Sequence, residues 1–292
     1  MTYIEILERA SLHLHSLSGS TMDILTIAKP SSLEYAEHLA KTVSKLSPLV
    51  GNMIEFKVCD ELNKLDWFDL GHWKRQDPGF PDTVFVGDIN PTPGIEIKTW
   101  FPLATEMTAR FKDSVNHFQD EQTNVALVAW LPEFVIYGKP KIIDVWVGSA
   151  KSVAEARDKH YHNPPDYLVF EPEDTSLRTA NLQQTNTNGY KFQGLKAIFE
   201  EASKDLNDWG ENSKIYNANL EYQIKLKTLF GKYPYRLDTN YAKIDRIKHE
   251  GLEAFKTKVL NTSIHGHTLR QWSKLLADDK TSTIELVKDL IL

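Results

Sequence analysis

The chain of 292 residues contains a single cysteine, Cys59. One thiol excludes an internal disulfide and any cysteine-rich zinc site, and it suits the reducing cytoplasm expected for this protein. No apolar run is long enough to span a bilayer, so no membrane association is expected. The opening "MTYIEILERASLHLHSLSG" carries Glu5 and Glu8 where a secretion signal would place cations ahead of an apolar core. Neither a Gly-x-x-x-x-Gly-Lys-Ser/Thr phosphate loop nor a Gly-x-Ser-x-Gly nucleophile elbow occurs, which removes ATP-driven and serine-hydrolase chemistry. Basic charge is also short. With 34 Lys and Arg against 40 Asp and Glu, the net charge of −6 argues against a uniform cationic coat. It leaves room for a local basic groove beside collected carboxylates.

What is present is a globular composition, 41% hydrophobic and 25% charged. Apolar residues at Ile4, Leu7, Ala10, Leu14 and Leu17 predict an N-terminal helix. Ser31 and Glu34 have capping-box spacing ahead of a second helix. Pro48 and Gly51 punctuate the chain before a third, "MIEFKVCDELNKL", in which Glu55 falls in line with Val58, Cys59 and Leu62. A carboxylate there either lies at the margin of the apolar stripe and reaches water, or has a partner that justifies its position.

From Thr83 the pattern changes to strands: "TVFVG", "GIEIKTW", "NVALVAWL", "EFVIYG" and "KIIDVWVG". A helical insertion, "SAKSVAEARDKH", follows, and "DYLVFEP" returns to strand. Helical patterns dominate from about Leu195 onward. The expected class is therefore α/β, a central mixed β-sheet flanked by helices, with a helical C-terminal region.

Within the sheet, "GFPDTVFVGDINPTPGIEIKTW" sets Asp82 at the start of one strand and Glu96 and Lys98 on one face of the next. Strands paired across "DINPTPG" would bring Asp82 and Glu96 together with Lys98 beside them. Two carboxylates, water and a backbone carbonyl are the hard oxygen ligands that Mg²⁺ takes, with positions left open for phosphate oxygens. Such a site cleaves phosphodiesters by stabilising the charge that develops on phosphate and activating a water, which the ammonium orients. Taken alone, the hairpin reads equally as a surface salt-bridge ladder.

The succession of a helix bearing Glu55, then Pro81-Asp82, an apolar strand and Glu96-Ile97-Lys98, resembles the PD-(D/E)XK nuclease superfamily. The resemblance implies that Asp82 and Glu96 hold the metal together with the Ile97 carbonyl, that Lys98 assists the attacking water, and that Glu55 is a second ligand or a water-mediated helper.

A second stretch, "SLRTANLQQTNTNGYKFQG", crowds Asn181, Gln183, Gln184, Thr185, Asn186, Thr187 and Asn188 between Arg178 and Lys191. Asn and Gln can read adenine, Thr a base or the thymine methyl, and Arg guanine or phosphate. A solvated turn closed at Asn188-Gly189 is the plainer alternative. Beside the hairpin, the segment is similar to the amide-rich recognition loop of type II restriction endonucleases, particularly the blunt-cutting branch.

The resemblance implies a restriction-endonuclease-like core over residues 1–195 and a helical region over 196–292. It implies a homodimer that cuts both strands of double-stranded DNA at a short palindrome with Mg²⁺, leaving 5′-phosphates, and a cognate DNA methyltransferase in the same host. The alternatives are a repair or junction-resolving nuclease of the same superfamily and a noncatalytic DNA-binding protein.

The remaining motifs carry less. Three His-x-His pairs, His13/His15, His160/His162 and His265/His267, lack a third ligand at metal spacing. Arg157, His160 and Tyr161, and separately His72, Lys74 and Arg75, read either as phosphate contacts or as connector residues. Lys225, Lys227, Lys232 and Arg236 read as a solvated face.

Overall fold

The computed structural model describes residues 1–104, 118, 120–161, 168–170, 189–192, 194–215, 217, 219–238 and 247–277. The chain packs as two compact units, one formed by Met1–Val153 with His249–Leu292 and the other by Ala154–Lys248. Among the described residues no helix is long and apolar enough to cross a membrane.

The first unit is built on a five-stranded mixed sheet in the order β1 (Gly71–Arg75), β2 (Thr83–Gly87), β3 (Gly94–Trp100), β4 (Thr123–Pro132) and β5 (Pro140–Ser149). All neighbours are antiparallel except β3 and β4, which run parallel. β4 lies between two other strands and is buried along nearly its whole length, which is why it reads as one continuous apolar run. Trp73 and Phe85 face each other across β1 and β2. Both rings meet Trp67 edge-on at centroid distances of 5.4–6.0 Å, and this cluster pins the register of the two strands.

Helices flank the sheet. Gly51 of α3 (Ser47–Asn63) lies against Thr99, where a Cβ would stand 3.1 Å from the Thr99 hydroxyl. The next residue, Trp100, points to the opposite face, and its ring packs 6.2 Å from Phe255 of α7 (Glu250–Leu260). Ser11 of α1 (Tyr3–His15) accepts a hydrogen bond from Asn124, which shares the Thr99 face through its pairing with Ile95. Thus α1 and α3 cover one face and α7 the other.

In the second unit β6 (Leu168–Phe170), β7 (Gly189–Phe192) and β8 (Tyr235–Asp238) form a small sheet. Its core joins Phe192 to Ala202 and Leu206 of α5 (Lys196–Asn207) and to Tyr222, Leu226 and Leu229 of α6 (Leu220–Lys232). On its surface Lys225 pairs with Glu221 and Lys232 with Asp205, as a solvated face would.

Several sequence expectations shift. The second helix, α2 (Leu33–Thr42), is capped by Ser32, whose hydroxyl accepts from the Tyr35 amide; Ser31 does not cap it. α3 starts before Pro48 and runs through Gly51, because a proline in the first turn gives up an N–H that has no partner there anyway. "EFVIYG" is no strand: Val135 and Gly138 take positive φ in the β4–β5 turn. Its apolar residues reflect burial, since Ile27 exchanges backbone hydrogen bonds with Gly138 and Ile136 is fully enclosed. In the first sheet the parallel pair is β3 and β4, and the "LVF" strand that follows "SAKSVAEARDKH" joins the second sheet, where it pairs parallel with β7. Asn188, where a solvated turn is the plainer reading, lies outside the described residues.

α7 is capped by a half-buried His249. Its Nδ1 accepts the Leu252 amide at 3.3 Å, which leaves the Nε2 proton for the Ser152 hydroxyl at 3.0 Å. Burial pushes the His249 pKa below its ordinary value, with Glu250 opposing. A depressed pKa gives stability that is present above the unfolded value of about 6.5 and lost as pH falls through the folded value. Protonation would delete the cap, worth about 1 kcal/mol. In thermal melts from about pH 7.5 to about pH 5, His249→Asn, which caps without titrating, should lose less stability than wild type. Equal losses would remove His249 from the acid response.

Candidate functional site

The ladder between β2 and β3 is short: Val84 pairs with Gly94, Thr83 with Ile95, and there it stops. The next position on β2 is Asp82, opposite Glu96. Here side chains replace the missing backbone partners. The Ile97 amide donates to Asp82 Oδ2 at 2.6 Å, and the Asp82 amide donates to Glu96 Oε2 at 3.3 Å. The other side of this corner is held from the end of β1. The Gln76 amide donates to the Asp82 carbonyl at 2.8 Å and its side-chain amide to the Pro81 carbonyl at 2.9 Å. Pro81 in turn lies against Gly94, where a Cβ would stand 2.3 Å from Pro81 Cγ.

Glu96 is only 6% exposed. A carboxylate so placed must be paired and hydrogen-bonded to remain charged. Lys98 Nζ donates to Glu96 Oε1, lies 3.4 Å from the Ile97 carbonyl oxygen and stands 3.9 Å from Asp82 Oδ2. Oxygens from Asp82, Glu96 and Ile97 therefore converge on one positive charge, as the sequence had led one to expect of a metal. Among the described residues Asp82 Oδ1 receives no hydrogen bond. This donor set fits Mg²⁺, which takes hard oxygen ligands and keeps several waters. Among the described residues no group of three or more His, Cys, Asp or Glu side chains is placed to hold a metal, so the Ile97 carbonyl and water would complete the shell.

Glu55 comes from α3, which packs on β1 and β3. It is neither in the core nor free in water. Arg75 Nη2 donates to Glu55 Oε2 at 2.9 Å, while Arg75 Nη1 holds Asp77 Oδ2 at 2.9 Å and the guanidinium carbon lies 4.3 Å over the Phe56 ring. Burial pushes the Glu55 carboxyl above its ordinary range; the Arg75 hydrogen bond opposes this, and the negative charge of Asp82 adds to it. Four carboxylates, Glu55, Asp77, Asp82 and Glu96, thus face two cations, Lys98 and Arg75, which leaves the cluster two negative charges in excess.

The site residues expected from sequence divide in three. Asp82, Glu96, Ile97 and Lys98 meet; Glu55 is close enough to feel Asp82 but is turned to Arg75. Arg178, Asn181, Gln183, Gln184, Thr185, Asn186 and Asn188 lie outside the described residues, and Lys191 is described only as part of the β7 backbone. Sequence reasoning missed Gln76, Gly94 and the role of Arg75. "GHWKRQ" reads either as a phosphate-contact strip or as a solvated loop, yet it contains a strand in which Arg75 has the parity of buried Trp73 and points inward. That alternation was the available signal. Arg157 is 4% exposed, so it is not presented to an external phosphate. The side chains of His160 and His162 lie outside the described residues, and His13, His265 and His267 have separate partners. His13 bonds the Glu61 carbonyl, His265 stacks on Phe134 and His267 meets Trp272 edge-on.

No family model, curated protein or solved structure gives a significant match to the chain.

Because Pro81 is seated directly on the Gly94 α-carbon, Gly94→Ala should force Pro81-Asp82 off β3 and cost about 1–3 kcal/mol in chemical denaturation. Unchanged stability would mean that the Pro81–Gly94 contact does not set the corner.

Proposed function

We propose that this chain is a Mg²⁺-dependent DNA endonuclease of the PD-(D/E)XK superfamily with a restriction-endonuclease-like core, and that it cuts as a type II restriction enzyme. The observation that carries the reading is the convergence of Asp82, Glu96 and the Ile97 carbonyl on a single cation, the Lys98 ammonium. That arrangement buries charge at the junction of two central strands, where apolar residues would stabilise a sheet more. A salt-bridge ladder has no reason to pay this cost in a site 6% exposed at Glu96.

Held by Asp82 and Glu96, Mg²⁺ would supply Lewis-acid stabilisation of the phosphate charge and lower the pKa of water. Asp82 and Glu96 fix the position, and the Ile97 carbonyl completes it from the backbone. Lys98, at the same corner, would orient the attacking water in line with the scissile bond. The water oxygen bonds to phosphorus, the 3′ oxygen leaves as a hydroxyl and the phosphate stays on the 5′ side. The amide-rich run from Asn181 to Asn188, flanked by Arg178 and Lys191, supports readout of a short palindrome by a homodimer on double-stranded DNA.

Incubated with a long linear duplex, the wild-type protein should give discrete fragments with Mg²⁺ and none with EDTA. Glu96→Gln, which keeps the shape of the side chain, should cut about 10²–10³-fold more slowly. Asp82→Ala should abolish cleavage while retaining binding to the same sequence. Binding without any cleavage in the wild type would replace the enzyme with a DNA-binding protein. Structure-dependent cutting of branched or mismatched DNA would replace the restriction reading with a repair nuclease.

A further inference from the structure

Glu55 and Arg75 raise a question that the metal site leaves open. A helix carboxylate beside two metal-holding carboxylates is the natural third ligand, and a third ligand decides whether one or two divalent cations bind. Arg75 has already taken it. Its guanidinium is fixed at three points: Glu55 Oε2 at 2.9 Å, Asp77 Oδ2 at 2.9 Å and the Phe56 ring at 4.3 Å. The Arg75 and Glu55 side chains are only 16% and 22% exposed, so water competes weakly for the pair. A planar, two-pronged donor held this way gives up a carboxylate less readily than the single-point ammonium of Lys98 gives up Glu96.

We infer that Arg75 is a positioning residue that withholds Glu55 from the divalent-cation site, so that the protein binds one cation, at Asp82 and Glu96, and not two. The inference rests on the metal-dependent reading above. It assigns opposite fates to the two cations of the cluster. Lys98 is a placeholder that an incoming divalent ion displaces from Glu96, whereas Arg75 is permanent. Without Arg75, Glu55 would lose the guanidinium that holds it and would stay under the charges of Asp82 and Lys98, free to take up a second divalent ion.

Mn²⁺ titration of the full chain without DNA, followed by calorimetry and by anomalous diffraction from Mn²⁺-soaked crystals, tests this. Wild type should bind one Mn²⁺, lost in Asp82→Asn, with Glu55 still on Arg75. Arg75→Gln should bind two. The double variant Glu55→Gln/Arg75→Gln has the same net charge as wild type, so long-range electrostatics are matched; it should return to one Mn²⁺ with an affinity within about threefold. A fall of about tenfold or more in that double variant would show Glu55 to be a ligand and overturn the inference. One Mn²⁺ in a folded Arg75→Gln would overturn it too. If Arg75→Gln does not fold, the wild-type crystal alone decides, since Glu55 turned from Arg75 onto Mn²⁺ sinks the proposal. Wild type with no Mn²⁺ sensitive to Asp82→Asn is a separate failure, because it removes the metal reading itself as well.

Discussion

One hydrogen bond organises this site: the Ile97 amide donating to Asp82 Oδ2 at 2.6 Å. A continued antiparallel ladder would have met the N–H with a backbone carbonyl, and Asp82 would then have been one more residue of β2. The ladder stops at Thr83 and Ile95, so the carboxylate takes the carbonyl's place. A charged acceptor makes a stronger bond than a neutral one, and its second oxygen remains available. The same exchange draws Glu96 back onto the Asp82 amide. A break in backbone pairing has been turned into two aligned carboxylates on rigid elements.

The cost of that arrangement is carried by its surroundings. Removing one partner from a buried ion pair costs about 3–5 kcal/mol, while an apolar replacement of the whole pair is often neutral or better. Glu96 and Lys98 are thus poor choices for stability alone. They are tolerated because the strand that carries them is apolar on its other face. Ile95 and Ile97 are almost fully enclosed, and β4 beside them is buried nearly end to end. The Trp67, Trp73 and Phe85 cluster fixes β1 on β2, and Gln76 at the end of β1 then reaches the Pro81 and Asp82 carbonyls. Aromatic packing some distance from the charges therefore sets the position of the charges.

Much of this was legible in the residues. β2 and β3 have the predicted bounds because each is a short apolar alternation between proline, glycine and asparagine, which are strong breakers. Asp82 and Glu96 could be paired from the turn between them. What was not legible depended on contacts distant in sequence. In "EFVIYG" Val135 and Ile136 are fully buried in a turn whose last residue, Gly138, pairs with the distant Ile27, so apolar character there marks burial and not a strand. The parallel partner of β3 is fixed by the crossover, which hydrophobic periodicity cannot reveal. The capping-box spacing points to Ser31, three residues before Glu34, whereas the hydroxyl that caps is that of Ser32, three residues before Tyr35.

Arg75 shows where local reading stops being sufficient. Three basic or aromatic side chains follow one another in His72, Trp73 and Lys74, and a run of that composition resembles a solvated strip. Only alternation separates the outward His72 and Lys74 from the inward Trp73 and Arg75. Once Arg75 points inward, a cation of that size in a partly enclosed setting requires an acid, and the helix stacked on β1 presents Glu55. The oddly placed helix carboxylate and the oddly placed strand arginine explain each other. Each is a charge on the apolar side of its own element, and both are accounted for by a pairing that local pattern reading could not supply. The acidic cluster is thereby split into a pair of carboxylates, Asp82 and Glu96, facing Lys98 and a pair, Glu55 and Asp77, facing Arg75.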